Sequence, residues 1–360
     1  MSDNRVNSIS IQSQNDLISA MKQMDVIDKK SLLVFNDNNE FVNIITIGDI
    51  QRAILNDFDL KTPIQDILRQ NTRLSSPEIT EEEIKNTMRE FRMEIMPVVD
   101  SNKKLIKVYF WEDFFATSKR LDNVNLGLPV VIMAGGFGTR MQPLTSVIPK
   151  PLIPMGNQSM LEHIIGNFQK VGCNDFYISV NYKAELIKFY FDDIKDKTYN
   201  IDFFKEPKPL GTAGSLSLLK GKFNSPFFVS NCDILINDDY EAIYKYHKEN
   251  KNELTIVSAL KAYQIPYGTL KTTTKGVLKE ITEKPELNYQ INTGFYLIEP
   301  HLLDEIPENE FFHITHLMEK LLKEGRKVGA FPISEGSWLD VGQWDEYNKT
   351  ASKLGFKGFD

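Results

Sequence analysis

Residues 130–140 of the 360-residue chain read VVIMAGGFGTR, an apolar run that ends in glycines and an arginine. The run Val130–Ala134 predicts a fully buried strand, as in a parallel sheet that is covered on both faces. The glycines allow the following backbone to curl and to present consecutive N–H groups to an anion, and Arg140 adds a planar cation. No Gly-Lys-Ser/Thr follows as in a P-loop, and Met141 replaces the third glycine of a dinucleotide fingerprint, which argues against a dehydrogenase. We predict a phosphate-binding loop, with a plain β–α turn as the alternative.

After this stretch the sequence alternates apolar strands with amphipathic helices. That pattern predicts an α/β domain with a doubly wound, mostly parallel sheet. Further strands are expected at 175–180, 227–230, 254–259, 294–298 and 328–332, and helices at 160–171, 183–191, 212–219, 241–249 and 314–324. Ligands of such sheets bind beyond the carboxyl ends of the strands, so we expect the chemistry directly after each strand.

The residues before this domain contain an internal repeat. A strand, a turn, a second strand and a helix start recur with one offset, since Asp113 follows Asp49, and Val99 follows Phe35, by 64 residues. A helix precedes each copy, and the second helix opens with a capping-box pattern at 80–83. Two such copies are expected to pack as a pseudo-twofold pair.

This arrangement resembles a tandem CBS (cystathionine-β-synthase) domain pair, an α+β fold, over residues 1–118. In that family a Thr-x-x-Asp at the strand–helix junction holds the ribose of an adenine nucleotide, and Thr46 and Asp49 fit the spacing. The second copy keeps Asp113 but has Phe110 in place of the threonine, so the resemblance implies at most one intact site. The alternative is that Asp49 only caps its helix.

Composition excludes several classes of protein. The formal net charge of −7 argues against a general binder of nucleic acid or of anionic membranes. Two cysteines, Cys173 and Cys232, have no metal-ligand spacing, so neither a disulfide scaffold nor a zinc site is expected. The first residues are polar, and no uncharged apolar run reaches the ~18–20 residues of a membrane span. We expect a cytoplasmic protein.

A second cation follows the glycine loop at Lys150, in the segment KPLIP. The string GGFGTRMQPLTSVIPKPLIPMGNQSMLEHII strongly resembles the N-terminal motif of the nucleoside-diphosphate-sugar pyrophosphorylases, and the resemblance continues over residues 130–350. It implies a Rossmann-like nucleotidyltransferase domain there, after a linker at 119–129 and before a tail at 351–360. It also implies that Arg140 and Lys150 are catalytic, gripping the triphosphate while a sugar 1-phosphate attacks the α-phosphate in line and pyrophosphate leaves.

Two aspartates are candidate metal ligands. Asp233 ends the strand FFVSNCD, and Asp340 lies in SWLDVGQ. Either one alone is more often a cap or turn residue, but two carboxylates that converge with phosphates suit Mg²⁺, which takes few protein ligands. Both strings resemble metal-binding motifs of the family, although Asn231-Cys232 replaces the more usual Leu-Gly.

The resemblance also implies contacts to both substrates. EKP at 283–285 and NTG at 292–294 resemble the family's sugar-binding motifs. The implied sugar-phosphate residues are Gly268, Glu283, Lys284, Asn292 and Gly294. The implied nucleotide-binding residues are Ala134, Gly135, Gly136, Gly138, Thr139, Glu206, Gly211 and Thr212.

Glu206 bears on the choice of base. Thymidylyl and uridylyl enzymes commonly carry glutamine at this position, whereas an ionised carboxylate only accepts hydrogen bonds. Guanine presents two adjacent donors, while uracil and thymine present one donor between two acceptors. The residue therefore favours GTP, and the string PLGTAG resembles that of guanylyltransferases for mannose and related sugars. The alternative is that Glu206 points to solvent beside Lys205 or Lys208.

The CBS pair in front, together with Glu206, is similar to the guanylyltransferases that act on glucosamine 1-phosphate in bacterial legionaminic acid synthesis. Alternatives are a mannose-1-phosphate guanylyltransferase, a thymidylyl- or uridylyltransferase for glucose 1-phosphate, and a regulatory protein that senses nucleotides without catalysis. The expected ligands are an NTP, a sugar 1-phosphate, Mg²⁺ and an adenine nucleotide at the CBS pair. A homo-oligomer is left open.

Overall fold

A computed structural model describes residues 4–91, 93–115, 124–353 and 355–356. The chain divides into two compact units, residues 1–121 and 122–360. Residues 119–123 of the expected linker, and residues 354 and 357–360 of the domain's end and tail, lie outside the described part. Within that part, no helix combines the length and the apolarity needed to cross a membrane.

The first unit contains short helices and two small sheets. Its helices are α1 (Asn4–Ser8), α2 (Leu17–Ile27), α3 (Ile47–Leu55), α4 (Glu81–Glu90) and α5 (Trp111–Phe114). Its strands are β1 (Ser10–Gln12), β2 (Ser31–Phe35), β3 (Phe41–Thr46), β4 (Ile95–Val99) and β5 (Leu105–Phe110). Strand β2 pairs in parallel with β1 and antiparallel with β3, while β4 and β5 form an antiparallel hairpin.

The internal repeat that the sequence predicts is present in these elements. Strands β4 and β5 begin and end 64 residues after β2 and β3, and helix α4 begins 64 residues after α2. A parallel bridge between Ser75 and Val98 repeats the pairing of Ile11 with Val34 in β1 and β2. The two copies are therefore alike in pairing as well as in order.

Two ion pairs follow the same repeat. Arg69 lies 2.7 Å from the carboxylate of Asp49, and Arg5 lies 2.7 Å from that of Asp113. Each aspartate belongs to one copy, and its arginine precedes the other copy. The pairs therefore hold the two copies together reciprocally.

The second unit is built on a larger set of strands. Its helices are α6 (Met160–Gln169), α7 (Ala184–Asp193), α8 (Tyr240–Glu249), α9 (Ile314–Lys323) and α10 (Trp344–Lys353). Its strands are β6 (Val130–Met133), β7 (Pro154–Met155), β8 (Gln158–Ser159), β9 (Asp175–Val180), β10 (Asn200–Lys205), β11 (Phe227–Asn231), β12 (Ile234–Ile236), β13 (Leu254–Gln264), β14 (Thr269–Thr272), β15 (Leu278–Thr282), β16 (Glu286–Ile298), β17 (Val328–Ser334) and β18 (Trp338–Asp340).

Seven of these strands form one sheet in the order β10-β9-β6-β11-β16-β13-β17. Only β16 runs antiparallel to its neighbours β11 and β13, so the sheet is mostly parallel, as the sequence predicts. Every predicted strand is present, and the edge strand β10 was missed. The predicted helix at 212–219 is instead a 3₁₀ segment, Gly214–Leu219, in which the Leu216 N–H donates to the Ala213 carbonyl three residues earlier while the apolar side chains stay buried.

Both faces of the sheet are covered. Val130 and Ile132 pack into a cluster with α6, α7, α8 and α10, whereas Val131 packs on the other side with α9. Neighbouring residues of a strand point to opposite faces of the sheet, so the continuous apolar run of β6 requires a cover on both faces. Phe168 of α6 is central, with its ring 5.5 Å from that of Phe295. The strand ends that precede the functional loops are thereby fixed.

Candidate active site

The glycine loop that follows β6 turns on Gly138. This residue has a φ of 66°, and an added Cβ would lie 2.9 Å from the side chain of Thr145. Thr145 donates a hydrogen bond to the Gly138 carbonyl at 2.8 Å. Only glycine fits this left-handed, crowded position. The turn leads into the 3₁₀ segment Thr139–Met141, which carries Arg140.

Three predicted site residues converge on Gly342. A Cβ added there would lie 2.8 Å from Asp340 Oδ1, 3.1 Å from Arg140 Nη2 and 3.2 Å from Asp233 Oδ2. The Arg140 guanidinium is 3.6 Å from the Asp233 carboxylate and about half exposed. The structure thus brings one half-exposed cation and two carboxylates to one point beyond the sheet.

Local strand pairing explains why the carboxylates meet. Asp233 directly precedes β12, and β12 pairs antiparallel with β18, which ends at Asp340. The Val341 N–H donates to the Asp233 carbonyl at 2.9 Å, which fixes the register of the two segments. Lys150 reaches the same place and forms an ion pair with the Asp233 carboxylate.

Electrostatics differ between the two carboxylates. Burial, aided by the negative charge of Asp233, raises the pKa of Asp340 against the opposing hydrogen bond from the Gly342 N–H. Lys150 and Arg140 face Asp233 directly. Burial also raises the pKa of the Cys232 thiol to about 12, so this neighbour stays neutral and is a poor nucleophile.

A cavity of about 330 Å³ opens beside this cluster. It is lined by Arg140, Thr212, Asn231, Asp233, Ile234, Asn292, Thr293, Gly294, Tyr296, His313, Ile314, Thr315, Trp338 and Asp340. Burial raises the pKa of Tyr296 to about 12, so its hydroxyl stays protonated. The cavity therefore offers hydrogen-bond donors and acceptors next to the charged cluster.

Glu206 is buried rather than turned to solvent. One carboxylate oxygen accepts from the Ser179 hydroxyl at 2.5 Å and the other from the Leu210 N–H at 3.3 Å. A Cβ on Gly135 would lie 2.7 Å from the first oxygen, so the glycine loop and Glu206 are in direct contact. Two of the roughly four lone-pair sites of a carboxylate are thus used inside the protein. The alternative in which Glu206 points to solvent is wrong.

Other predicted nucleotide-binding residues lie near the contact between Glu206 and the glycine loop. Ala134 is buried and donates its N–H to the Ser179 carbonyl at 3.0 Å. Gly211 has a φ of 81°, and an added Cβ would lie 2.8 Å from the Phe312 carbonyl, so its loop packs closely on the start of α9. Gly136 is exposed, and an added Cβ there would have no atom within 4 Å.

The predicted sugar-phosphate residues fall into two groups. Asn292 and Gly294 line the cavity, and the Asn292 side chain accepts from the Gly294 N–H at 3.0 Å. Gly268, Glu283 and Lys284 lie instead near the strands β14 and β15, where Glu283 and Lys284 are exposed. None of these three is among the residues that line the cavity. The structure brings the first group to the cluster and not the second.

Sequence reasoning missed several residues of the site. Asn231 was noted only as a departure from a motif, yet its amide lies so close to Gly294 that a Cβ there would be 2.4 Å away. Gly342 lies in SWLDVGQ, and nothing in that string marks it as the point where the charged side chains converge. His313 and Thr315 belong to the start of α9, and no sequence pattern marks them as facing a ligand. These residues are identified by contacts between segments that are distant in the chain, and a single sequence does not show such contacts.

The donor set fits a single Mg²⁺ ion. Among the described residues no group of three or more His, Cys, Asp or Glu side chains could hold a metal on its own. Asp233 and Asp340 converge on one point, and Mg²⁺ takes one or two carboxylates with phosphate oxygens and waters in the remaining positions.

At the predicted nucleotide site of the first unit, the side chains of Thr46 and Asp49 have hydrogen-bond and ion-pair partners within the protein. Thr46 and Asp49 form a capping box at the start of α3, with the Asp49 carboxylate accepting from the Thr46 N–H at 2.9 Å. Asp49 is buried and also pairs with Arg52 and Arg69. Asp49 therefore does cap its helix, while a nucleotide at Thr46 and Asp49 stays a prediction.

Comparisons with known proteins match the second unit of the chain. The sequence model of the Nucleotidyl transferase family matches residues 129–355. The chain is 31% identical over 228 residues to the "Probable mannose-1-phosphate guanylyltransferase 2" of Oryza sativa subsp. japonica, covering 61% of this chain and 63% of that protein. It is 34% identical over 221 residues to the "Mannose-1-phosphate guanyltransferase" of Saccharomyces cerevisiae, covering 59% and 61%.

A solved structure has the same fold. The crystal structure of HddC from Yersinia pseudotuberculosis matches with a TM-score of 0.50 and 25% identity, covering 63% of this chain and 99% of that one. The match to the curated relatives spans about three fifths of their length.

Proposed function

We propose, since the chain belongs to the Nucleotidyl transferase family, that it joins a sugar 1-phosphate to a nucleoside triphosphate and releases pyrophosphate. The observation that carries the proposal is the convergence of Arg140, at the end of the glycine loop, with Asp233 and Asp340 on Gly342. A cation and two carboxylates at that point suit a reaction in which charge builds on a transferring phosphoryl group.

The chain's own residues would act by position and charge. Arg140 is free enough to contact the triphosphate, while the buried Lys150 holds Asp233 in place until phosphate oxygens arrive. The oxygen of the sugar phosphate is itself the nucleophile, so no protein nucleophile is needed. When bound between Asp233 and Asp340, Mg²⁺ would neutralise phosphate charge and orient the triphosphate.

Guanine is the proposed base. Glu206 is held against the glycine loop with lone pairs left over, and a guanine edge has two adjacent donors for them. The relatives named above are called mannose-1-phosphate guanylyltransferases, which supports GTP and mannose 1-phosphate or a close analogue. Glucosamine 1-phosphate in legionaminic acid synthesis stays a prediction, as does a cytoplasmic location.

For the first unit, a CBS pair with an adenine nucleotide at Thr46 and Asp49 also stays a prediction. A ribose at Asp49 would have to compete with Arg69 and Arg52. Titration of the full chain with AMP and ATP tests it, and heat of binding that Asp49→Ala abolishes is the expected result. Unchanged binding in that variant would place the nucleotide elsewhere.

The test of the activity is a grid of substrates. Each of GTP, ATP, UTP and dTTP is incubated with mannose, glucose and glucosamine 1-phosphates and Mg²⁺, and pyrophosphate is measured. The highest rate is expected with GTP and mannose 1-phosphate. If pyrophosphate is released with UTP or dTTP and not with GTP, the pyrimidine alternative is favoured. If no combination of nucleotide and sugar phosphate releases pyrophosphate, the protein that senses nucleotides without catalysis is the remaining alternative.

A further inference from the structure

His313 joins the loop that carries Glu206 to the sugar side of the cavity. It directly precedes α9, is half-buried and lines the same cavity as Asp340. The loop docks on the same segment, because the N–H groups of Ala213 and Gly214 both donate to the Phe312 carbonyl at 3.0 Å. The His313 side chain therefore lies between the loop that carries Glu206 and the cavity.

Its hydrogen bonds fix which ring nitrogen carries the proton. The Thr212 N–H donates to Nδ1 at 3.4 Å, and the Thr212 hydroxyl lies 3.2 Å from the same atom. That hydroxyl already accepts from the Ile314 N–H at 3.1 Å, so its own proton is free to point at Nδ1. Nδ1 is thus an acceptor, and a neutral imidazole then carries its proton on Nε2.

Nε2 faces away from Thr212, and no hydrogen bond to it from the described residues is seen. The cation expected to hold the sugar phosphate, Lys284, lies exposed outside the cavity, so a donor at Nε2 would add to the contacts that Arg140 and the polar side chains of the cavity offer an anion. The positive end of the ten-residue helix α9 begins at the same place and favours an anion there.

We infer that His313 is a positioning residue that donates from Nε2 to the phosphate of the sugar 1-phosphate, while Nδ1 secures Thr212 and the base loop. This inference rests on the proposed function and adds a residue to its acceptor site. One side chain then sets the distance between the acceptor phosphate and the loop that holds the nucleotide.

Two isosteric variants separate the two nitrogens. The side-chain oxygen of asparagine can replace Nδ1 as the acceptor from Thr212, but its amide is too short to replace Nε2. Glutamine reaches the Nε2 position with an NH₂ donor but has no acceptor at Nδ1. His301→Asn serves as the control, because His301 is an exposed histidine that pairs with Glu253 away from the cavity.

The experiment measures KM for GTP and for mannose 1-phosphate, with kcat, in the four proteins. His313→Asn should raise KM for the sugar phosphate roughly ten- to a hundredfold and leave KM for GTP within about twofold. His313→Gln should do the reverse, raising KM for GTP about three- to tenfold. The same rise of KM for every sugar 1-phosphate that the wild type uses supports a phosphate contact. A rise confined to one sugar would contradict it.

Equal changes in both KM values for both variants would overturn the inference, because a merely structural histidine would behave in that way. Calorimetric titration with mannose 1-phosphate keeps this claim separate from the proposed function, since binding requires no turnover. The dissociation constant should rise in His313→Asn and not in His301→Asn. A wild type that releases no pyrophosphate contradicts the proposed activity, whereas unchanged binding by His313→Asn contradicts the role of His313.

Discussion

The ammonium group of Lys150 forms an ion pair with the carboxylate of Asp233, although the residues are 83 positions apart in the chain. Both side chains are nearly buried, with exposed fractions of 10% and 12%. A buried ion pair adds little net stability, but removing one partner leaves the other charge uncompensated. The pair therefore couples the stability of this unit to a carboxylate that the proposed chemistry needs.

Asp233→Asn should lower the free energy of unfolding by about 3 kcal/mol, because the Lys150 ammonium is left buried beside a neutral amide. It should also remove most turnover, since an amide cannot offset charge at a metal. Urea denaturation and pyrophosphate release measure the two effects. Asp340→Asn, the matched control, should lose turnover but keep its stability within about 1 kcal/mol. Equal destabilisation of both variants would contradict the pairing.

The pKa of Asp340 predicts a dependence of stability on pH. Because burial raises this pKa in the folded protein, the carboxyl contributes stability below its unfolded pKa of about 3.9, and that contribution is lost as pH rises through the folded value. In metal-free buffer the wild type should therefore lose stability relative to Asp340→Asn as pH rises from about 4. Melting temperatures of both proteins across this range test it. A constant difference would contradict the raised pKa.

Glu206→Gln should lower the preference for GTP over UTP roughly ten- to a hundredfold, because glutamine offers one donor and one acceptor to a pyrimidine edge. The fold should persist, since an amide oxygen can still accept from Ser179 or Leu210. The ratio of kcat/KM for the two nucleotides is the measurement. An unchanged ratio in a folded variant would mean that Glu206 only supports the loop.

In the first unit, Asp49→Ala should cost roughly 1–2 kcal/mol, because it removes a helix cap and two arginine contacts. Asp113→Ala should cost less, since Asp113 is more exposed and accepts from Phe110, which has no hydroxyl to complete the box. Scanning calorimetry of the full chain compares the two. The opposite order would contradict this account, in which the buried Asp49 with its two arginine contacts contributes more.

The sequence predicted the sheet because a short, fully apolar run such as Val130–Ala134 is stable only where both of its faces are buried, as in the centre of a covered sheet. It missed β10, whose half-exposed residues lack a continuous apolar run. It also predicted a helix at 212–219, where the periodicity of the apolar residues fits both an α-helix and the 3₁₀ segment that forms. Periodicity records which residues are buried and does not record hydrogen bonds.

For the site, the resemblance to the family's motifs predicted Arg140, Asp233 and Asp340, which the structure brings together. It could not predict that Lys284 would lie away from the cavity, because that depends on the course of an exposed pair of strands. Nor could it find His313, whose role arises from a contact with Thr212 across 101 residues. Contacts of this kind depend on tertiary structure and leave no local signal.

The most direct test of the account is pyrophosphate release from GTP and mannose 1-phosphate by the wild type and by Arg140→Ala. The account predicts one pyrophosphate for each nucleotide sugar, formed only when both substrates are present. It also predicts a kcat for Arg140→Ala that is on the order of 10²–10³ lower, the effect of losing one preorganised contact to the transition state. Pyrophosphate released without the sugar phosphate, or equal rates for the two proteins, would contradict it.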